Sequence, residues 1–211
     1  MLKIYGHPLS SPTNKVRMCA NAAGAGFEFV IVDLSKGEHK QPPYLAINPV
    51  GQIPAIDDDG FKLFESTAII KYLARKYGPG LYPDDVRQQA LIDQWCDFVG
   101  NQVHPGYGRL NFNKVIAPAF GMPVSDAAIK EGGEMLERSL PVAEAQLEKS
   151  KFLAGDALTI ADICLLAAMD PNEGVGMDLK KYPKLSAWRE NLRSRDFYTK
   201  VHKHYGEGIF S

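Results

Sequence analysis

The sequence predicts two domains: a small mixed α/β domain over residues 1–78 and an all-helical domain over 87–211, joined by a linker at 79–86. Three observations carry this reading. Short runs of β-branched and aromatic residues alternate with helical patterns only in the first 77 residues. The stretch Gly78-Pro79-Gly80-Leu81-Tyr82-Pro83 has the composition of a connector. Beyond it the strand signals vanish and helical periodicity dominates.

Residues 2–5 and 28–33 are short, apolar and suited to strands. Between them, 12–25 opens on Pro12 and carries Val16, Met18, Cys19, Ala22 and Ala23 at helical spacing. This is a β-α-β unit with parallel strands and a right-handed crossover. Residues 54–57 and 61–64 flank Asp58-Asp59-Gly60, which reads as a hairpin turn. From 66 to 77, Ile69, Ile70, Leu73 and Tyr77 mark a second amphipathic helix that stops at Gly78-Pro79. A β-α-β unit followed by β-β-α suits a four-stranded mixed sheet of the thioredoxin-like kind, an α+β fold. Helical segments follow at about 84–117, 125–148, 159–169 and 184–194, with a short one at 196–203. Thr159-Ile160-Ala161-Asp162 has the form of a capping box, and its loss is expected to cost on the order of 1–2 kcal/mol.

Composition narrows the function. Across 211 residues, 24 Lys and Arg face 25 Asp and Glu for a net charge of −1, so the electrostatic footprint of a nucleic-acid binder is missing. Cys19, Cys96 and Cys164 form no zinc or disulfide spacing and read as buried, reduced thiols. The histidines at 7, 39, 104, 202 and 204 show no metal-ligand spacing, so no metal is expected; His202 and His204 read as a solvated cationic face. Nucleophile-elbow, phosphate-loop and dinucleotide fingerprints are lacking. The N-terminal stretch is too quickly broken by Gly6 and Pro8 for a signal peptide, and no apolar run approaches roughly 18 residues. A cytoplasmic protein without a membrane span is the expectation.

What remains is positional. Ser10-Ser11-Pro12 falls where the first strand meets the first helix, and one serine is the N-cap. Either both simply cap, or one hydroxyl beside a helix N-terminus serves an anion, which the dipole favours. Cysteine is missing from this loop, which disfavours dithiol redox chemistry. In Asn48-Pro49-Val50-Gly51-Gln52-Ile53-Pro54, a proline just before a strand suits a cis bond in a tight turn that exposes the backbone of Ile53. An extended peptide could pair there; the bland alternative is an ordinary loop. Glu65 and Ser66 either cap the second helix or hold an α-amino-acid group, ammonium to Glu65 and carboxylate to Ser66. His39 and Lys40 are either a solvated loop or the positive charge for a second carboxylate.

Together these pieces resemble a cytosolic glutathione transferase. The matches are Ser10-Ser11-Pro12, Gly37-Glu38-His39, Asn48-Pro49 with Gly51-Gln52-Ile53-Pro54, Glu65-Ser66, and Gly155-Asp156 followed by Thr159-Ile160-Ala161-Asp162. The pattern is most similar to the serine-type classes (phi, theta, delta) and bacterial relatives. The resemblance implies that the glycyl carboxylate of glutathione meets His39 and Lys40, and that its cysteinyl backbone pairs with Ile53 before Pro54. It further implies that the γ-glutamyl end rests on Glu65 and Ser66, that Gln52 adds hydrogen bonds, and that catalytic Ser10 points at the sulfur with Ser11 beside it, nearer the N-cap. Tyr107, Phe112 and Phe120 become candidates for the electrophile side, although aromatic residues at helical spacing are also core formers. Thr67 stands where serine-type relatives often carry Arg, and Asn14-Lys15 replaces a commonly basic pair. The family is usually dimeric, so a homodimer with a detoxifying transferase activity is expected. A ligand-carrying or protein-interaction module, or a glutathione-dependent isomerase or dehalogenase, are the competing readings.

Overall fold

The structure, a computed structural model, describes residues 1–202, so His204 and the end of the predicted 196–203 segment lie outside the described residues. The chain forms two compact units, Met1–Asp84 together with the segment from Arg193, and Asp85–Leu192.

In the first unit, β1 (Leu2–Gly6), α1 (Ser11–Ala22), β2 (Phe27–Ile31), α2 (Pro42–Leu45), β3 (Ala55–Asp58), β4 (Phe61–Phe64) and α3 (Ser66–Tyr77) follow in order. The sheet runs β2-β1-β3-β4. β1 and β2 are parallel, while β3 is antiparallel to both β1 and β4. Tyr5 lies level with Val30 and Ala55, and Ala55 with Phe64. The C-terminal ends of β1, β2 and β4 and the N-terminal end of β3 therefore share one edge of the sheet. One face buries Leu2, Ile4 and Ile56, as α1 buries Val16 and Cys19 and α3 buries Ile69, Ile70 and Leu73. Each such aliphatic side chain contributes about 1.5–3 kcal/mol when fully buried. The opposite face carries Val32, Tyr44 and Ala55, with Tyr5, Ile47, Ile53 and Phe64 packed around them.

The hairpin is tighter than expected. Asp58 is the last residue of β3, paired with Phe61, and only Asp59 and Gly60 turn, at φ 52° and 93°. Positive φ at both positions is the twist a two-residue hairpin needs. Asp58 is buried and accepts hydrogen bonds from Tyr72 Oη (2.8 Å), Lys76 Nζ (2.6 Å) and Tyr77 Oη (3.1 Å). The last helix, α11 (Asp196–His202), was expected in the helical domain but belongs with the first unit. It buries Phe197, Tyr198 and Val201, and Asn21 of α1 donates to the Phe197 carbonyl at 3.5 Å.

In the second unit the expected 84–117 helix is α4 (Val86–Phe98), α5 (His104–Asn111) and α6 (Ala117–Ala119), joined through π turns at Val99–Val103 and Phe112–Ile116. α7 (Asp126–Leu147) approaches α5 closely: a Cβ on Gly132 would lie 2.9 Å from the Gly106 carbonyl oxygen. The remaining helices are α8 (Ile160–Ala168), α9 (Asn172–Val175) and α10 (Pro183–Arg193), which runs one residue into the first unit. All nine residues of α8 are buried, and its capping box is formed. Asp162 accepts from the backbone of Thr159 (3.0 Å) and Leu153 (3.0 Å), from Thr159 Oγ1 (3.2 Å) and from Trp188 Nε1 (3.1 Å). Burial pushes its carboxyl up, against the pull of these donors. All three cysteines are buried, and the fold brings Cys96 and Cys164 together, sulfur to sulfur at 3.6 Å.

Candidate active site at one edge of the sheet

The loop after β1 carries the two serines. Ser10 is the N-cap of α1, with extended φ −90° and ψ 112°, and its Oγ accepts the Thr13 N–H at 3.3 Å. Ser11 is the first helical residue and Pro12 the second, so Ser10, rather than the expected Ser11, does the capping. Two serines before a proline leave this frame open, because Pro fits either of the first two helical positions. By accepting from Thr13, Ser10 uses a lone pair and keeps its own proton to donate. The loop is braced from below. Ser10 N donates to the His7 carbonyl (3.0 Å), and Asn14 donates through its backbone to Ser10 O (2.9 Å) and through Nδ2 to Pro8 O (2.9 Å). Asn14 is fully buried and accepts from Arg17 (3.2 Å), whose guanidinium lies 4.2 Å above the Phe29 ring. Burial lowers the pKa of His7 against the pull of Asp33, and its Nδ1 accepts the Leu9 N–H at 3.3 Å.

The loop after β2 forms one 3-10 turn, Glu38–Lys40, entered through Gly37 in the left-handed region. A single turn has no periodicity to read, and the sequence showed it only as a polar stretch. Glu38 accepts the Asp33 N–H at 2.7 Å and folds the segment back. Lys40 Nζ reaches the Val50 carbonyl at 3.3 Å. Gly51, at φ +64°, is where the loops meet: a Cβ there would lie 2.8 Å from the His39 carbonyl oxygen and 3.0 Å from Lys40 Nζ. His39 Nδ1 is buried without a hydrogen-bond partner among the described residues.

Before β3, the Gln52 carbonyl accepts from both Tyr44 Oη and Asn48 Nδ2, each at 2.6 Å. Burial pushes the Tyr44 hydroxyl up to about 12, so it stays a donor. These two bonds fix Gln52 and leave its side chain and the next residue outward of the anchor. The Ile53–Pro54 bond is cis. Neither the N–H nor the C=O of Ile53 has a hydrogen-bond partner among the described residues. Tyr44 and Asn48 were missed as site-builders: α2 is a single helical turn, and Asn48 was legible only as part of a loop.

After β4, Glu65 sits at the N-cap position of α3 with φ 68° and ψ 106°, one of two non-glycine residues at positive φ among the described residues. Such a conformation costs about 1–3 kcal/mol and marks functional segments. The Glu65 side chain makes no capping bond, and the first turn of α3 holds no acidic residue. Glu65 is therefore not the plain cap that was one of its two readings. The Glu65 carboxylate and the Ser66 hydroxyl have no partner among the described residues. Lys15 of α1 donates to Thr67 Oγ1 at 3.0 Å.

All four loops leave the same sheet edge, so the topology gathers Ser10, Ser11, His39, Lys40, Gln52, Ile53, Pro54, Glu65 and Ser66 there. Ligands of open α/β sheets bind at such an edge where connections diverge. Of the aromatic candidates in the second unit, Tyr107 is fully buried, and its hydroxyl donates to Asn172 Oδ1 at 2.8 Å. Burial raises its pKa. Tyr107 is a core residue there, whereas Phe112 and Phe120 are 43% and 69% exposed. Among the described residues no cluster of three His, Cys, Asp or Glu could hold a metal, and no helix is long and apolar enough to cross a membrane.

Comparison with known proteins matches residues 1–75 to the family described as Glutathione S-transferase, N-terminal domain, and residues 110–196 to Glutathione S-transferase, C-terminal domain. The chain is 39% identical to Glutathione S-transferase F9 of Arabidopsis thaliana, over 92% of this chain and 93% of that protein. It is 39% identical to the probable glutathione S-transferase GSTF2 of Oryza sativa subsp. japonica, over 95% of each. Among solved structures, glutathione transferase F2 from Populus trichocarpa superposes with a TM-score of 0.92 at 34% identity, over 99% of this chain and 100% of that one. Glutathione S-transferase I from maize, in complex with an atrazine glutathione conjugate, superposes with a TM-score of 0.91 at 32% identity, over 99% of each chain.

Proposed function

The chain belongs to the glutathione S-transferase family, and on that premise we propose that its sheet-edge residues conjugate the thiolate of glutathione to small electrophiles. One observation carries the assignment of roles: a single sheet edge presents polar groups that complement an extended γ-glutamyl tripeptide from end to end, and His39 Nδ1, the Ile53 backbone, Glu65 and Ser66 have no partner among the described residues. His39 and Lys40 take the glycyl carboxylate. The Ile53 backbone, set by Tyr44 and Asn48 acting on Gln52 and followed by Pro54, pairs with the cysteinyl backbone as an added strand. Gln52 adds side-chain hydrogen bonds. Glu65 receives the γ-glutamyl ammonium, and Ser66 donates to its carboxylate.

Ser10 donates its hydroxyl proton to the sulfur. A free thiol has a pKa of about 8.5, and a donor beside a helix N-terminus lowers it by stabilising the anion. The thiol proton leaves to solvent. The sulfur lone pair then forms the new bond to carbon, and a displaced halide departs with the electrons of the broken bond; in an addition, the carbanion formed takes up a proton instead. Serine is no base at neutral pH, so its work is to hold and orient the anion. Ser11, one residue on, adds its hydroxyl to the same region. The electrophile side draws on Phe112 and Phe120, with residues 1–78 as the tripeptide domain, 79–86 as the connector and the helices α4 to α10 as the electrophile domain. The similarity to plant transferases favours the phi class among the serine types. A cytoplasmic homodimer that needs no metal, and a detoxifying role, complete the reading.

Retention on immobilised glutathione, with conjugation of a simple aryl halide, is the test. Retention with no turnover across halides, epoxides, peroxides and isothiocyanates would make the chain a binding module, and lack of retention would overturn the site.

A further inference from the structure

Of the chain's three cysteines, two meet although 68 positions separate them: Cys164 Sγ of α8 donates to Cys96 Sγ of α4 at 3.6 Å. Both residues are 2% exposed, so bulk solvent and large reagents are shut out of the contact. A disulfide needs its sulfurs about 2.05 Å apart, so a shift of about 0.8 Å by each sulfur, a modest rotation about its Cα–Cβ bond, closes the gap. The two helices hold their cysteines differently. Cys164 follows closely on Asp162, whose four hydrogen bonds fix the start of α8. Cys96 lies where α4 loses its regular ladder. The Val99 N–H is shared between the Trp95 and Cys96 carbonyls, and the His104 N–H reaches back to the Val99 carbonyl in a π turn. Turns of this kind recur at functional sites. One sulfur is thus held, and the other can approach it. Among the described residues the pair belongs to no cluster of three metal-ligating side chains, so its chemistry is that of a dithiol.

We propose that Cys96 and Cys164 are a modification site, an oxidisable dithiol at which a small hydroperoxide joins α4 to α8 through a reversible disulfide. One sulfur, as its thiolate, attacks a peroxide oxygen. An S–O bond forms, the O–O bond breaks, and the displaced oxygen takes up a proton and leaves as water or alcohol. The second sulfur loses its proton and attacks the sulfenic sulfur; the S–S bond forms as the S–O bond breaks, and the hydroxyl leaves as water. The two sulfurs together lose two electrons, and the peroxide gains them. Burial sets the access: oxidant enters only when the α4–α8 contact opens locally, which selects hydrogen peroxide and short alkyl hydroperoxides over bulky ones. The bridge ties together residues 68 positions apart, restricting the unfolded chain, so the helical unit resists unfolding when oxidant rises. The site does not depend on the glutathione reading.

The test treats the full-length protein with excess hydrogen peroxide, caps the remaining thiols with iodoacetamide in denaturant, and maps unreduced tryptic peptides by mass spectrometry. The expected product is a peptide pair joined through Cys96 and Cys164 within one molecule and released by a phosphine reductant. Oxidation should raise Tm by about 5–10 °C, and the reductant should reverse the rise. Cys19→Ser should keep both results, while Cys96→Ala and Cys164→Ala should each lose both. The wild-type map decides the matter even if an alanine variant fails to fold. Oxidation that stops at sulfinic or sulfonic acid, or that links only separate molecules, overturns the proposal. So does a pair that stays reduced in folded protein, or a bridge that leaves Tm unchanged.

Discussion

Ser10 Oγ accepts the backbone N–H of Thr13 at 3.3 Å, closing the first turn of α1 with the side chain that also faces the sheet edge. The cap fixes the hydroxyl oxygen and leaves its proton free, which separates Ser10 from Ser11 inside the helix. Ser10→Ala should therefore cut turnover by about ten- to a thousandfold, the effect of one lost charge-assisted hydrogen bond, while glutathione affinity changes little. Ultraviolet titration of the bound thiolate should move up toward the free value. The same changes in Ser11→Ala, with Ser10→Ala unaffected, would transfer the role by one residue.

Gly51→Ala should damage the glycyl end. The new methyl meets the His39 carbonyl oxygen and Lys40 Nζ, and φ +64° is itself unfavourable for alanine. A stability loss of about 1–3 kcal/mol is expected, with glutathione affinity down roughly tenfold. Melting and binding titrations check both; wild-type affinity in a folded variant would detach the His39–Lys40 turn from the ligand.

Glu65→Gly should separate stability from function. Glycine accepts φ 68° without steric cost, so the variant should be as stable as wild type or up to about 1 kcal/mol more so. Glutathione binding should nonetheless fall at least tenfold, for want of a partner for the ammonium. Unchanged affinity in a calorimetric titration would remove Glu65 from the site.

Asp58 ties acid stability to the hairpin. Burial pushes its carboxyl up, but hydrogen bonds from Lys76, Tyr72 and Tyr77 outweigh this, and it lies below the usual carboxylate value. A depressed folded-state pKa means stability present above about pH 4 and lost as the pH falls through the folded value. Asp58→Asn should cost about 2 kcal/mol at pH 7 in urea melts, with the difference from wild type shrinking below about pH 4. A difference independent of pH would show that the charge does not matter.

Asp162→Ala should exceed the cost expected of a cap. Four donors converge on this fully buried carboxylate, including Trp188 Nε1 from α10, and each would lose its acceptor. A loss of about 3–5 kcal/mol in chemical denaturation is expected, against roughly 1–2 for an ordinary cap. A loss near 1 kcal/mol would mean that water replaces the carboxylate.

The sequence showed these features unequally, for physical reasons. The α3 segment was legible to the residue, because Glu65-Ser66 and Gly78-Pro79 punctuate both ends. The capping box was legible because its signal is local, but Leu153 and Trp188 reach Asp162 from 9 and 26 positions away. Asp58 was misread as a turn residue since Asp-Asp-Gly fits a turn in more than one frame; burial and cross-strand pairing decide which frame wins. The π turns at Val99–Val103 and Phe112–Ile116 change apolar spacing too little to see. The glutathione-contacting candidates were visible by resemblance, and their supports were not. Tyr44, Asn48, Asn14 and Lys15 act through contacts that exist only once the chain has folded.

Among the described residues, the β1–β3 ladder, from Leu2 opposite Asp58 to Tyr5 opposite Ala55, is the only strand pairing between the two halves of the sheet. Ser10, His39 and Lys40 arrive with one half, and Ile53, Glu65 and Ser66 with the other. On the proposed reading the receptor is split along a seam, and a tripeptide held at both ends would lie across it like a suture. Opening that ladder would break the proposed binding surface at its midpoint, so on that reading the co-substrate resists the fluctuation by mass action, with a benefit that grows as the logarithm of its concentration. In a thiol-rich compartment, the amide protons of Tyr5 and Ala55 would be sheltered by the molecule the enzyme consumes.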